Sequence, residues 1–194
     1  MIELGAYWGH YSMWLKQVKP GARTILVEPH AHRVETGRKN FAVNGYEGEF
    51  MQAYVGTGRW SEPGVPRFVV DDYLKDTGLE HLDILHADIQ GTELQMLDGA
   101  VESLAARRIG YLFVSTHSND IHYAVRDRLA EAGYRIEASS DYDAETTAGD
   151  GLVLASSPLR PPVLQNYEPM GRLALLQQQD PRALVERLMR MLGG

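Results

Sequence analysis

An alternation repeated along the whole chain constrains its fold more than any other feature. Short apolar runs rich in Val, Ile and Leu are separated by stretches of helical spacing, the pattern of a mostly parallel sheet covered on both faces. Residues 2–4 end a first strand, and residues 10–19 form a helix that Pro20 and Gly21 stop. Residues 24–27 are the second strand, 30–43 a helix ended by Asn44 and Gly45, and 49–55 a third strand before the Gly- and Pro-rich loop 56–66. A short strand at 68–70 precedes a short helix that Asp71 or Asp72 caps and that ends near Gly78. Residues 82–89 are the fourth main strand, after which a helix starts near Thr92, breaks or bends at Gly99 and is followed by another through Leu104. A fifth strand at 109–114 leads to a helix capped by Asp120 and stopped by Gly133. The last two strands, 134–137 and 152–155, are joined over 138–151 without any helical pattern, so they pair antiparallel, because a parallel crossover normally needs a helix. A mostly parallel sheet with one reversed strand at its end is expected.

The length of 194 residues suits one domain over 1–156, followed by a tail, 157–194, in which Leu184, Leu188 and Met191 recur at helical spacing after Pro181. That helix packs on its own domain or makes a homodimer contact. No apolar run is long enough to cross a bilayer, and Met1 to Gly5 lack the basic-then-apolar character of a secretion signal. The expected location is the cytoplasm, with no membrane partner. The absence of cysteine excludes disulfides, thiolate metal sites and a cysteine nucleophile. A net charge of −7, with the basic residues scattered, argues against a nucleic-acid partner.

The chemistry concentrates where strands end. Residues 3–12 read strand, glycine turn, helix, the layout in which a ligand lies against backbone N–H groups at the carboxyl edge of a sheet. Gly5 lets the chain turn off the strand, and Gly9 lets the backbone approach a ligand. The dinucleotide fingerprint is absent, because Tyr7 and His10 stand where it needs glycines, which disfavours NAD. Glu28, at the end of the second strand, is placed to accept hydrogen bonds from ribose hydroxyls. Together these point to a nucleoside-containing ligand without a pyrophosphate.

These residues, with Val27-Glu28-Pro29 and the segment from Asp83 to Leu94 followed by Leu97-Asp98-Gly99-Ala100, resemble the FkbM-type family of class I S-adenosylmethionine-dependent methyltransferases. The resemblance runs from residue 2 to about 115. It implies an α/β fold with a Rossmann-like, doubly wound, seven-stranded sheet in the order 3-2-1-4-5-7-6, strand 7 antiparallel. It also implies S-adenosylmethionine as cofactor, contacts to it from Glu3, Gly5, Gly9, Glu28 and Asp88, and methyl transfer to a hydroxyl oxygen of a small molecule or sugar. Position 90 departs from the family, being Gln where an acid is frequent. The aromatic faces of Tyr7 and Trp8 suit the cofactor's positive charge, and Tyr7 is assigned to its binding. Two alternatives stay open: N-methylation of a small molecule or peptide, and a domain that binds the cofactor without catalysis.

His117 follows directly on the fifth strand and is expected to act as general base, with Asp88 supporting its charged form. No metal site is assigned; the variant considered draws N and O ligands from Asp88, His117 and Asn119. His86, flanked by Leu85 and Ala87, reads as a hydrogen-bonded core histidine, and His30 and His32 as solvated residues. His122 either reaches the cleft or points to solvent.

Overall fold

The structure is a computed structural model, and it describes residues 1–57, 64–164 and 180–191. Its main sheet has seven strands: β1 (Ile2–Leu4), β2 (Ile25–Glu28), β3 (Glu49–Gln52), β6 (Leu82–Ala87), β7 (Ile109–Thr116), β8 (Arg135–Ser140) and β9 (Gly151–Ser156). They lie in the order β3-β2-β1-β6-β7-β9-β8, and β9 runs antiparallel to both its neighbours while the other pairs are parallel. Counted among themselves, these strands have the expected order 3-2-1-4-5-7-6 with the seventh reversed.

Period-2 alternation divides the two faces. On β2, Ile25 and Val27 join the large cluster containing Leu4, Leu85, Met96, Leu112, Val125 and Leu129. Leu26 between them packs instead with Ala6 and Phe41. Phe41 comes from α2 (Ala31–Val43), which follows α1 (His10–Val18). The larger cluster is closed by α3 (Val70–Asp76), α4 (Glu93–Asp98), α5 (Val101–Ala105) and α6 (Asn119–Glu131).

Several boundaries differ from the sequence expectation for identifiable reasons. The third strand stops at Gln52, and the chain leaves the sheet at Ala53, whose N–H donates to the Glu28 carbonyl. The next residues form β4 (Tyr54–Val55), which pairs in parallel with β5 (Arg67–Phe68) as a separate ladder. Asp71 does not cap its own helix: its carboxylate accepts the N–H groups of Glu102 and Ser103, both at 2.9 Å, and so caps α5. The cap of α6 is Ser118, which accepts from the Ile121 N–H, because β7 continues to Thr116 and shifts the helix start ahead of Asp120. After residue 180 the chain forms α7 (Pro181–Met191), with Val185 and Met189 exposed. The side chains of Leu188 and Met191 lie outside the described residues. Among those residues no helix is long and apolar enough to cross a membrane.

Candidate functional site

Parallel pairing brings the carboxyl ends of β1, β2 and β6 to one edge, since Leu4 is in register with both Val27 and Ala87. A cavity of about 730 Å³ opens there, lined by Gly5, Tyr7, Glu28, Asp88, Gln90 and Gln95 among others. Gly5 has φ +73°, and a Cβ on it would overlap the Asp88 carbonyl, coming within 2.8 Å of the carbonyl carbon. Here glycine is required both by backbone conformation and by the close approach of two strand ends.

Glu28 is buried, and its carboxylate ties the cavity wall together. One oxygen accepts the Tyr7 N–H at 3.1 Å, and the other accepts the His30 N–H at 3.2 Å and the Arg33 guanidinium at 3.4 Å. Arg33 in turn lies 4.5 Å over the Tyr7 ring, whose other neighbour is Trp8. Tyr7 itself has φ +48° and is 44% exposed, so the turn presents its ring at the surface of the cavity.

Two of the expected contact residues are placed elsewhere. Glu3 does not line the cavity; it is buried, and its carboxylate accepts the N–H groups of Ser12 at 2.9 Å and Tyr11 at 3.3 Å, stabilising the start of α1. Burial pushes that carboxyl up to about 7, against the opposing pull of these hydrogen bonds. Gly9 also stands off the cavity, and a Cβ there would meet Phe41 at 2.8 Å and Leu26 at 2.9 Å. The missing side chain leaves room for Phe41 and Leu26 against the turn.

His117 sits among three carboxylates. Its Nδ1 is 2.6 Å from Glu93, and its Nε2 lies 3.3 Å from Asp88 and 3.5 Å from Asp150. Hydrogen bonds to Asp88 and Glu93 push its pKa up to about 10 despite burial, and the same contact holds the Asp88 carboxyl below its usual range. This raised pKa runs against the expected general-base role, which needs a ring free to take up a proton near neutral pH. The Gln90 amide bridges the pair: its nitrogen lies 3.1 Å from Asp88 and 2.8 Å from His117 Nε2. With the neutral Nδ1–H tautomer that nitrogen donates to both; with the imidazolium, the amide oxygen turns toward Nε2.

The remaining histidines and Asn119 resolve as follows. His122 is fully buried between Thr116 and Ser139, at 3.0 and 2.9 Å. His86 is buried, but its Nδ1 has no hydrogen-bond partner, contrary to expectation; it faces the Tyr11 ring and a groove lined by Trp14, Phe113 and Leu152. Burial pushes its pKa down to about 4. His30, read as solvated, lines the cavity. Asn119 is no ligand, because its side-chain oxygen accepts the N–H groups of Tyr142 and Asp143. Arg33, Glu93 and Asp150 were missed in the sequence. Glu93 stands in the quoted segment without a role, and Asp150 lies in a loop with no local signal.

Residues 61–136 match the family model of the methyltransferase FkbM domain. A protein of Jannaschia sp. (strain CCS1) named "Putative methyltransferase" is 23% identical over 210 residues, covering 83% of this chain and 73% of its own. The crystal structure of methyltransferase FkbM from Methylobacillus flagellatus KT superposes with a TM-score of 0.64 at 18% identity, covering 81% of this chain. This chain spans 43% of that protein's length. The structure of M. capricolum TrmK in complex with S-adenosyl-homocysteine gives a TM-score of 0.53 at 10% identity, covering 81% of this chain and 61% of that one.

Proposed function

We propose, because residues 61–136 match the methyltransferase FkbM domain, that the chain transfers a methyl group from S-adenosylmethionine to a hydroxyl oxygen of a small molecule or sugar. One observation carries this reading: a single cavity joins the Gly5 turn, the buried Glu28 and Asp88 at the carboxyl edge of the sheet. An orphaned group supports the fit. Gln95 lines the cavity, and its side-chain oxygen is buried with no hydrogen-bond partner, so it lacks a donor of the kind an adenine amine supplies.

When bound, the cofactor supplies an electrophilic methyl carbon on a positively charged sulfur. Glu28 keeps acceptor capacity beyond the three donors it already holds, enough for a ribose hydroxyl. Asp88 contributes negative charge on the same wall, and the Tyr7 ring offers a π face to a cation. Asp88 and Asp150, each about one-third exposed, are acceptors suited to a hydroxyl-rich acceptor molecule. With His117 protonated, rate acceleration rests mainly on alignment, worth several kcal/mol. That same protonation favours a second reading, an amine acceptor, which needs no strong base.

Glu28→Ala tests the cofactor site. The variant is expected to weaken S-adenosylmethionine and S-adenosyl-homocysteine equally, by about 1.5–3 kcal/mol, since both carry the same ribose. Calorimetric titration of the folded variant with unchanged affinity for either ligand contradicts the assignment.

A further inference from the structure

We propose that Asp88, His117 and Asp150 bind one divalent cation of borderline, zinc-like character on the wall of the cavity. One oxygen from each carboxylate and one nitrogen of His117 lie within 4.8 Å of one another. The two distances from His117 Nε2, 3.3 Å to Asp88 and 3.5 Å to Asp150, match the edge of a small coordination shell. Two ligands at about 2.0–2.1 Å from a tetrahedral zinc ion are about 3.3–3.4 Å apart. One imidazole and two carboxylates, without any thiolate, suit such an ion.

A second observation lies behind the ligands. Glu93 is fully buried and its carboxylate is 2.6 Å from Nδ1 of His117, the arrangement in which an acid fixes the Nδ1–H and aims Nε2 at a metal, the cation taking the place of the Nε2 proton that His117 carries without it. The same oxygen receives the Gly91 N–H at 3.1 Å, while the other is buried with no hydrogen-bond partner. Glu93 is thus a positioning residue, held by the backbone and directed at His117.

Asp150 is also held in place. Antiparallel pairing puts Gly151 opposite Thr116, which sets Asp150 beside His117. Its carbonyl accepts the Thr146 hydroxyl at 2.7 Å, and Asn119 pins the same loop through Tyr142 and Asp143. Among the described residues, His117 is the single cationic side chain within 4.0 Å of the Asp88 and Asp150 carboxylates. The site therefore carries excess negative charge. The Gln90 amide oxygen can turn in as a fourth ligand, or leave that position to a hydroxyl whose proton the cation makes easier to lose. This last role rests on the methyl-transfer reading; the cation site does not.

The test is zinc binding by the tag-free full chain after chelator stripping, followed by competition with a chromophoric zinc indicator. One equivalent bound with a dissociation constant of about 1 µM or tighter is expected. Asp150→Asn and His117→Ala should each weaken it at least about tenfold. Asp150 is partly exposed, so the asparagine variant is expected to stay folded, as circular dichroism will verify. Cobalt substitution should give visible bands of four-coordinate intensity in the unmutated protein. Absence of binding tighter than about 1 mM overturns the proposal. So does zinc binding that both variants leave unchanged, which would place the ion elsewhere, for example at His30 and His32. Affinity for S-adenosyl-homocysteine, measured without zinc, separates failure of this site from failure of the cofactor reading.

Discussion

Gly5→Ala is expected to lower the free energy of unfolding by about 4 kcal/mol, an unusually large loss for adding one methyl group. A non-glycine residue held at positive φ costs about 1–3 kcal/mol. The rest comes from overlap with the Asp88 carbonyl, which forces apart the ends of β1 and β6. Gly45→Ala is the control: its φ of +69° is similar, but a Cβ there meets nothing within 4 Å. About 1–2 kcal/mol is expected for that substitution. Urea unfolding of both variants checks the contrast, and equal losses would show that the close approach at Gly5 does not limit stability.

Removal of the His117 imidazole has the next largest effect. In the presence of chelator, His117→Ala is expected to cost about 3 kcal/mol at pH 6.5, because it leaves Glu93 buried without its cationic partner. The pH dependence has a definite sign. The folded-state pKa of about 10 lies above the ordinary value of 6.5. The stabilising contribution is therefore complete below about pH 6.5 and is lost as pH rises toward 10. The stability gap between the parent protein and the variant should narrow over that window. A gap independent of pH, or a His117 resonance titrating near its ordinary value, would remove the charged cluster from the account.

The main sheet was legible because its strands are short continuous apolar runs, 25–27 buried on both faces and 109–114 with only Tyr111 and Phe113 partly exposed. Glu28 and Asp88 were legible for a related reason: an acid just past such a run lies at the carboxyl edge wherever the strands are parallel. Glu3 and Gly9 carry packing roles that the motif alone does not reveal. In the folded chain the start of α1 takes the Glu3 carboxylate, and Phe41 takes the space beside Gly9. Neither competitor is adjacent in sequence to the residue it claims. Asp150 was further out of reach, since its place beside His117 follows from pairing Thr116 with Gly151 across 35 positions. The charged surroundings of His117 were hidden for the same reason, because Asp150 and the buried Glu93 are recognisable as its partners only after β7, β9 and α4 are assembled.

Direct titration of the unmutated protein with S-adenosyl-homocysteine tests the central claim, that the cavity at the carboxyl edge is a cofactor site. One equivalent is expected to bind with a dissociation constant on the order of 1 µM, about −8 kcal/mol. Nuclear magnetic resonance shifts should concentrate at the amides of Tyr7, His30 and Gln90, which surround the cavity. A folded protein that shows neither heat nor shifts at about 1 mM ligand, a level that would saturate such a site, would contradict the account.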